Sequence, residues 1–461
     1  MRSATLLTLG GLAGLVSAHK GCGGPGHEVV RRNPGGPVVT LEEARGGRKR
    51  ANSNPCDGYT YPPTQNLTSS YPNPYNIATL LPSDTAARTL FSSIDAHVRS
   101  ALPTTYPKGN PDGSHPGLVY DGGADPDCWW TYTQCTTPKN ATGLQRDITT
   151  VPEPGSYGLT YDDGPNCGNA PLYDWMEQND VRATLFYIGG NVLNWPLQAI
   201  SGHEGGHEIC VHTWSHHYMT ALSNEQVFAE LYYTQRIIKD VLGVTPLCWR
   251  PPYGDIDNRV RMIAAGLNLT TVVWSEDSSD WSLDSGTPQS KIDANYQGFI
   301  DKQKSGQYAN FGPVVLSHEL SAATINEALK FLPSLKAAFT HLVPIATAYN
   351  ISHPYAEEDI FYPSFAEYVA GEEDTVTSSL SSITSTSTSA SSSTSSASTT
   401  SSSVSASSTS SAALSSSSAA APASPSEGTS NHNAQPISAG WRVEPRLGLS
   451  LALAIICGAA I

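Results

Sequence analysis

From Gly155 onward, short apolar runs alternate with longer amphipathic segments, the pattern of strand-helix units wrapped around a parallel sheet. Seven runs read as strands, at residues 157–161, 183–188, 208–211, 247–249, 270–274, 314–316 and 342–345. The clearest helix between them covers 224–242, where Val227, Leu231, Ile238 and Leu242 form an apolar stripe and Gly243 supplies the stop. Right-handed crossovers between such strands predict an α/β fold, a distorted or incomplete (β/α) barrel of about seven parallel strands. In a barrel of this kind, chemistry is expected at the C-terminal ends of the strands.

The pattern is absent on both sides of that domain, which is placed at 151–350. Residues 51–150 are rich in Pro, Tyr, Asn and Thr, with one helical stretch at 86–102, and read as an irregular N-terminal extension. After a short C-terminal extension at 351–373, residues 374–430 are dense in Ser and Thr and nearly free of large apolar residues. Such a segment buries too little to offset its ordering entropy, so it reads as an O-glycosylated, disordered stalk.

Both ends carry processing signals. Arg2, the apolar run 4–15 and Val16-Ser17-Ala18 make residues 1–18 a signal peptide, and Arg48-Lys49-Arg50 closes a candidate propeptide at 19–50. Residues 431–461 end in an apolar tail, 447–461, that is shorter than the roughly 20 residues of a membrane-spanning helix. A polar spacer with small residues before such a tail matches a GPI-attachment signal, with Gly428, Asn431, Asn433 and Ser438 as candidate attachment sites. The expected product is secreted, held by a GPI lipid at the outer face of the cell membrane or in the cell wall, and monomeric. A single-pass tail helix is the alternative, although no stop-transfer charges follow it.

Of eight cysteines, Cys22 falls in the leader region and Cys457 in the tail, leaving Cys56, Cys128, Cys135, Cys167, Cys210 and Cys248 for three disulfides in an oxidising compartment. Cys128 and Cys135 are close enough in sequence to close a local loop; the other pairings are open. Trp129, Trp130 and Tyr132 inside that loop are read as packing against the disulfide in preference to stacking on sugar. Sequons at Asn66, Asn140, Asn268 and Asn350 fit glycosylated export. A net charge of −15 argues against nucleic acid or an anionic membrane surface as the main partner and is compatible with a neutral polysaccharide.

Charged clusters sit just past the apolar runs. Thr160-Tyr161-Asp162-Asp163-Gly164-Pro165 places two carboxylates at the end of the first strand; strand alternation sends them to opposite sides, one for a metal and one for a base. His212-Thr213-Trp214-Ser215-His216-His217 places two imidazoles four apart, on one face if the segment is helical, with His217 as bystander. Two His and one Asp leave a coordination position open, as a catalytic metal requires. Arg250-Pro251-Pro252-Tyr253, Asp277-Ser278-Ser279-Asp280-Trp281 and Leu316-Ser317-His318 follow later runs.

In this order the five motifs resemble those of the polysaccharide deacetylases of the NodB-homology type, carbohydrate esterase family four, and within it the fungal chitin deacetylases. The resemblance covers about residues 155–345. It implies a hydrolase of linear amide C–N bonds that removes acetyl groups from N-acetylglucosamine units of chitin during cell-wall remodelling. It further implies that Asp163, His212 and His216 bind one divalent ion, zinc or cobalt, and that Asp162 is the general base, kept charged by Arg250. The backbone N–H of Tyr253 would stabilise the oxyanion, and His318, partnered by Asp280, would protonate the leaving amine. Asp162 and Tyr253 would also bind acetate, and Trp281 and Leu316 would line the pocket. Tyr161 stands where Phe is frequent in the family.

Three rival readings remain. His203-Glu204-Gly205-Gly206-His207 matches the zinc-peptidase pattern, but that pattern needs a helix and two central glycines oppose one. Xylan or peptidoglycan could stand in for chitin, and a non-catalytic wall polysaccharide-binding protein would keep the fold without turnover.

Overall fold

The computed structural model describes residues 38–42, 56–103, 106–115, 117, 125–138 and 143–371. The signal peptide, nearly all of the candidate propeptide, Asn140, the stalk and the GPI-attachment signal lie outside the described residues.

The sheet is built from β1 (Thr150–Val151), β2 (Ser156–Gly164), β3 (Thr184–Tyr187), β4 (Glu208–Val211), β5 (Cys248–Trp249), β6 (Thr270–Thr271), β7 (Glu276–Asp277), β8 (Gly312–Leu316) and β9 (His341–Val343). The main path runs β1-β8-β2-β3-β4-β5-β6, with β7 on β8 and β9 on β2. All nine residues of β2 are buried, because helices and neighbouring strands cover both faces, so its sequence shows no alternation.

All seven expected strands are present, β4 with the expected ends and the others with shifted ones. The expected 270–274 strand pairs as β6 only at its start, where Val272 N–H still donates to Trp249 O. The chain then crosses over: Ser275 N–H donates to Val314 O and β7 joins β8. The sheet thereby curls into a distorted barrel, as the pattern predicts. The last strand stops at Val343 because Pro344 caps a short helix, Ile345–Ala348. Antiparallel β1 and parallel β7 are two-residue elements, too short to leave a periodic signal.

Helix α1 (Thr85–Ala101) lies in the N-terminal extension, close to the expected 86–102. Its buried side, Ala87, Ile94 and Val98, belongs to the main core, and Phe91 packs on Phe228 of α2 (Asn224–Leu242). Helix α2 starts in a capping box between Ser223 and Gln226 and ends at Gly243, whose φ of 81° is the left-handed stop that glycine adopts freely.

Among the described residues, three disulfides form: Cys56–Cys167, Cys128–Cys135 and Cys210–Cys248. The first ties the extension to the loop after β2. The third cross-links β4 and β5 two residues before His212 and Arg250, respectively. Asn66, Asn268 and Asn350 are exposed.

Candidate active site

The five motifs meet at one end of the barrel. Asp162 and Asp163 close β2, and here alternation fails. The β2–β3 register shifts between Asp162 and Gly164, and Asp163 takes φ 72°, so both carboxylates reach the same imidazole instead of opposite faces. His212 Nε2 lies 3.7 Å from Asp162 Oδ2 and 3.3 Å from Asp163 Oδ1. Nor is the segment that carries the two histidines helical. Residues 212–216 form a loop with Thr213 at φ 65° and His216 at φ 58°, which brings His216 Nε2 to 3.1 Å from Asp163 Oδ1.

Asp163, His212 and His216, all buried, thus offer one oxygen and two nitrogens within 4.8 Å of one another. His212 Nδ1 is 2.8 Å from Arg250 O, and a carbonyl only accepts, so Nδ1 carries a proton and Nε2 is the ring nitrogen that faces Asp163. Nε2 and Asp163 Oδ1 lie 3.3 Å apart, so both could serve one cation as ligand atoms. A borderline divalent ion suits this donor set. His216 Nδ1 is in turn 3.2 Å from Tyr253 Oη, which orients the second ring.

On one side of this cluster, the fully buried Arg250 donates from Nη1 to Asp162 Oδ1 at 2.6 Å and to Thr160 Oγ1 at 2.9 Å. Its guanidinium lies 4.1 Å from the Phe186 ring centroid. On the other side, Asp280 accepts from His318 Nδ1 at 2.6 Å and from His318 N–H at 2.9 Å. Burial alone lowers the His318 pKa, but the charge and hydrogen bond of Asp280, with Asp163 and Asp162 behind, outweigh it and push the imidazole up to about 9.

A polysaccharide deacetylase family model matches residues 150–272. Chitin deacetylase 2 of Cryptococcus neoformans var. grubii serotype A is 51% identical over 387 residues, which span 83% of this chain and 83% of that protein. The chain belongs to the polysaccharide deacetylase family. Chitin deacetylase of Amylomyces rouxii is 47% identical over 239 residues, 52% of this chain and 56% of that one. Among solved structures, the chitin deacetylase of Colletotrichum lindemuthianum matches at 23% identity and a TM-score of 0.40, over 44% of this chain and 92% of that chain.

Around this deacetylase centre stand the remaining residues singled out in the sequence. Tyr253 sits at φ 60° in the turn Pro252–Gly254, half-buried; Trp281 is half-buried and Leu316 is buried at the end of β8. Tyr161 is buried in the core. Trp130 covers Gly254, where an added Cβ would meet the indole, and its ring lies 4.6 Å from that of Trp274.

The peptidase motif does not assemble. The helix Pro196–Glu204 ends inside it and β4 begins at Glu208. His207 Nδ1 accepts from Ala183 N–H at 3.2 Å, and burial pushes His203 and His207 down to about 4 and about 3.

Several supporting residues carry no signal in sequence. Asn191 Nδ2 donates to Asp163 O at 2.9 Å and fixes the twisted end of β2. Glu319, buried behind Gly164, is held by Asn169 and by Tyr173 Oη at 2.6 Å, and burial raises its pKa well above the usual carboxylate range. An added Cβ at residue 164 would lie 1.8 Å from Glu319 Oε1, so only glycine fits between the acids and this carboxyl. A spacing match such as His-x-x-x-His exposes none of these, because their partners are distant in the chain.

Proposed function

We propose that this hydrolase is a chitin deacetylase that converts N-acetylglucosamine units to glucosamine and releases acetate. The observation that carries the reading is the convergence, at one barrel end, of Asp163, His212 and His216 with the Asp162–Arg250 pair on one side and the His318–Asp280 pair on the other. The similarity to proteins named chitin deacetylases, over most of the chain, supports chitin as the glycan.

Asp163, His212 and His216 would hold the divalent ion, zinc or cobalt. Such an ion supplies Lewis acidity, making a water molecule more acidic and polarising the acetamide carbonyl. Asp162 takes the proton of the attacking water as general base, with Arg250 orienting its carboxylate. The backbone N–H of Tyr253 stabilises the oxyanion, and Asp162 and Tyr253 then hold acetate. His318 gives its proton to the departing amine, while Asp280 keeps the imidazole protonated and aligned. Trp281 and Leu316 line the pocket for the acetyl methyl and sugar ring.

The same proposal places the mature protein outside the cell, glycosylated at the four sequons, monomeric, and tethered by a GPI lipid to the membrane or wall. Incubating the secreted protein with chitin oligomers, with and without chelator, and measuring acetate beside Asp162→Asn tests the reaction. Chelator-sensitive acetate that vanishes in the variant supports it. Metal-loaded protein that releases no acetate from chitin oligomers removes chitin as substrate, and acetate from xylan or peptidoglycan would then name the glycan.

A further inference from the structure

The loop that carries both histidines is not self-supporting. Thr213 and His216 sit in the left-handed region at φ 65° and 58°, which non-glycine residues hold only where their surroundings impose it. Those surroundings come from two places far apart in sequence. Glu230, in the middle of α2 and fully buried, accepts four hydrogen bonds. Its Oε2 takes Trp214 N–H and Ser215 N–H at 2.8 Å each. Its Oε1 takes Ser215 Oγ–H and Ala78 N–H at 2.7 Å each. Ala78 belongs to the N-terminal extension, outside the span matched by the family model.

The extension makes two more contacts with the same loop. Tyr71 stacks on Trp214 with ring centroids 5.5 Å apart and planes 5° from parallel. Trp214 Nε1–H donates to Asn73 O at 3.1 Å. We propose that Glu230 and the segment 71–78 form a clamp that sets the conformation of residues 213–216, so that His212 and His216 converge on Asp163. They are positioning residues, acting on the metal through the loop. The irregular extension is thereby a working part of the metal centre and not only a cover for the barrel.

The inference rests on reading Asp163, His212 and His216 as metal ligands, and its test separates the two. The zinc Kd of the full secreted chain is measured by competition with a chromogenic chelator, for the parent, Glu230→Gln, Tyr71→Leu and Glu208→Gln. Glu208 is the control: an equally buried carboxylate, at the other end of β4, that accepts from Thr184 Oγ–H and Ala346 N–H and does not touch the loop. Glu230→Gln presents an amide N–H where Ala78 or the loop needs an acceptor. It should raise the zinc Kd about tenfold, at the lower end of what removing an outer-shell partner costs.

Tyr71→Leu should move zinc affinity in the same direction, and carries the test alone if Glu230→Gln does not fold. Glu208→Gln should lower thermal stability and leave zinc affinity unchanged. Deacetylase activity of Glu230→Gln should return on raising zinc, with the KM for glycan unaltered. Parent-like zinc affinity in Glu230→Gln or in Tyr71→Leu, or equal weakening in Glu208→Gln, overturns the clamp. A parent that binds neither zinc nor cobalt overturns the ligand assignment instead.

Discussion

Arg250 reaches across the barrel to place Nη1 2.6 Å from Asp162 Oδ1, and the pair is shut away from solvent, with side-chain exposures of 0% and 3%. Removing one partner of such a pair leaves a buried charge uncompensated, at a cost of about 3–5 kcal/mol. Arg250→Gln is therefore expected to lower the unfolding free energy by that order in denaturant titration, and to lose deacetylase activity, as is expected of Asp162→Asn. Retention of parent stability would show that the pair is not coupled to folding.

Under the proposed mechanism, the His318–Asp280 contact should set the alkaline limit of activity. An imidazole pushed up to about 9 stays protonated as a proton donor through neutral pH, and donation fails as pH rises through that value. By the same sign, the pair's contribution to stability is fully present below the unfolded imidazole value of about 6.5 and lost as pH rises through about 9. Asp280→Asn removes the charge that outweighs burial, so the midpoint should move to lower pH. NMR titration of His318 in metal-free protein, beside kcat/KM against pH, measures both; an unmoved midpoint in Asp280→Asn would refute the assignment.

Metal content should follow three side chains and ignore a fourth. Alanine at Asp163, His212 or His216 is expected to abolish stoichiometric zinc or cobalt binding in dialysed protein measured by elemental analysis. His207→Ala should leave it intact, because His207 Nδ1 accepts from Ala183 N–H and the ring forms no ion pair with a carboxylate among the described residues. Loss of metal in His207→Ala would revive the peptidase reading.

These predictions depend on features of unequal visibility in the sequence. The seven main strands and the five motifs were legible because apolar runs report burial and each motif lies where a run ends. The conformations of Asp163, Thr213 and His216 were not: even Asp and His adopt left-handed φ at only a small fraction of positions, so strand alternation misdescribed the two carboxylates and the four-residue spacing of the histidines did not report the loop that joins them. Glu230 was hidden for another reason. A glutamate in an amphipathic helix reads as a solvated residue, and its donors lie 15 to 16 and 152 positions away.

The Cys210–Cys248 bridge offers a test of how far the site depends on the strands behind it. It closes a 38-residue separation, and His212 and Arg250, two residues beyond its ends, are joined by the 2.8 Å contact between His212 Nδ1 and Arg250 O. Replacing both cysteines by alanine should cost roughly 2–4 kcal/mol in unfolding free energy.

Gly164 follows Asp162 and Asp163 and faces Glu319, and a side chain there has nowhere to go. Its Cβ would fall 1.8 Å from Glu319 Oε1 and 2.4 Å from the same residue's Cδ. Glu319 cannot swing aside freely, because Tyr173 and Asn169 hold its carboxyl and its backbone N–H donates to Asp162 O at 3.0 Å. Gly164→Ala should therefore displace the end of β2, costing about 1–3 kcal/mol as overpacking and reducing kcat through the adjacent Asp162 and Asp163. Pairing it with Glu319→Ala, which removes the obstructing carboxyl, should recover part of the lost kcat. If the double variant is no more active than Gly164→Ala alone, the clash with Glu319 is not what constrains this position.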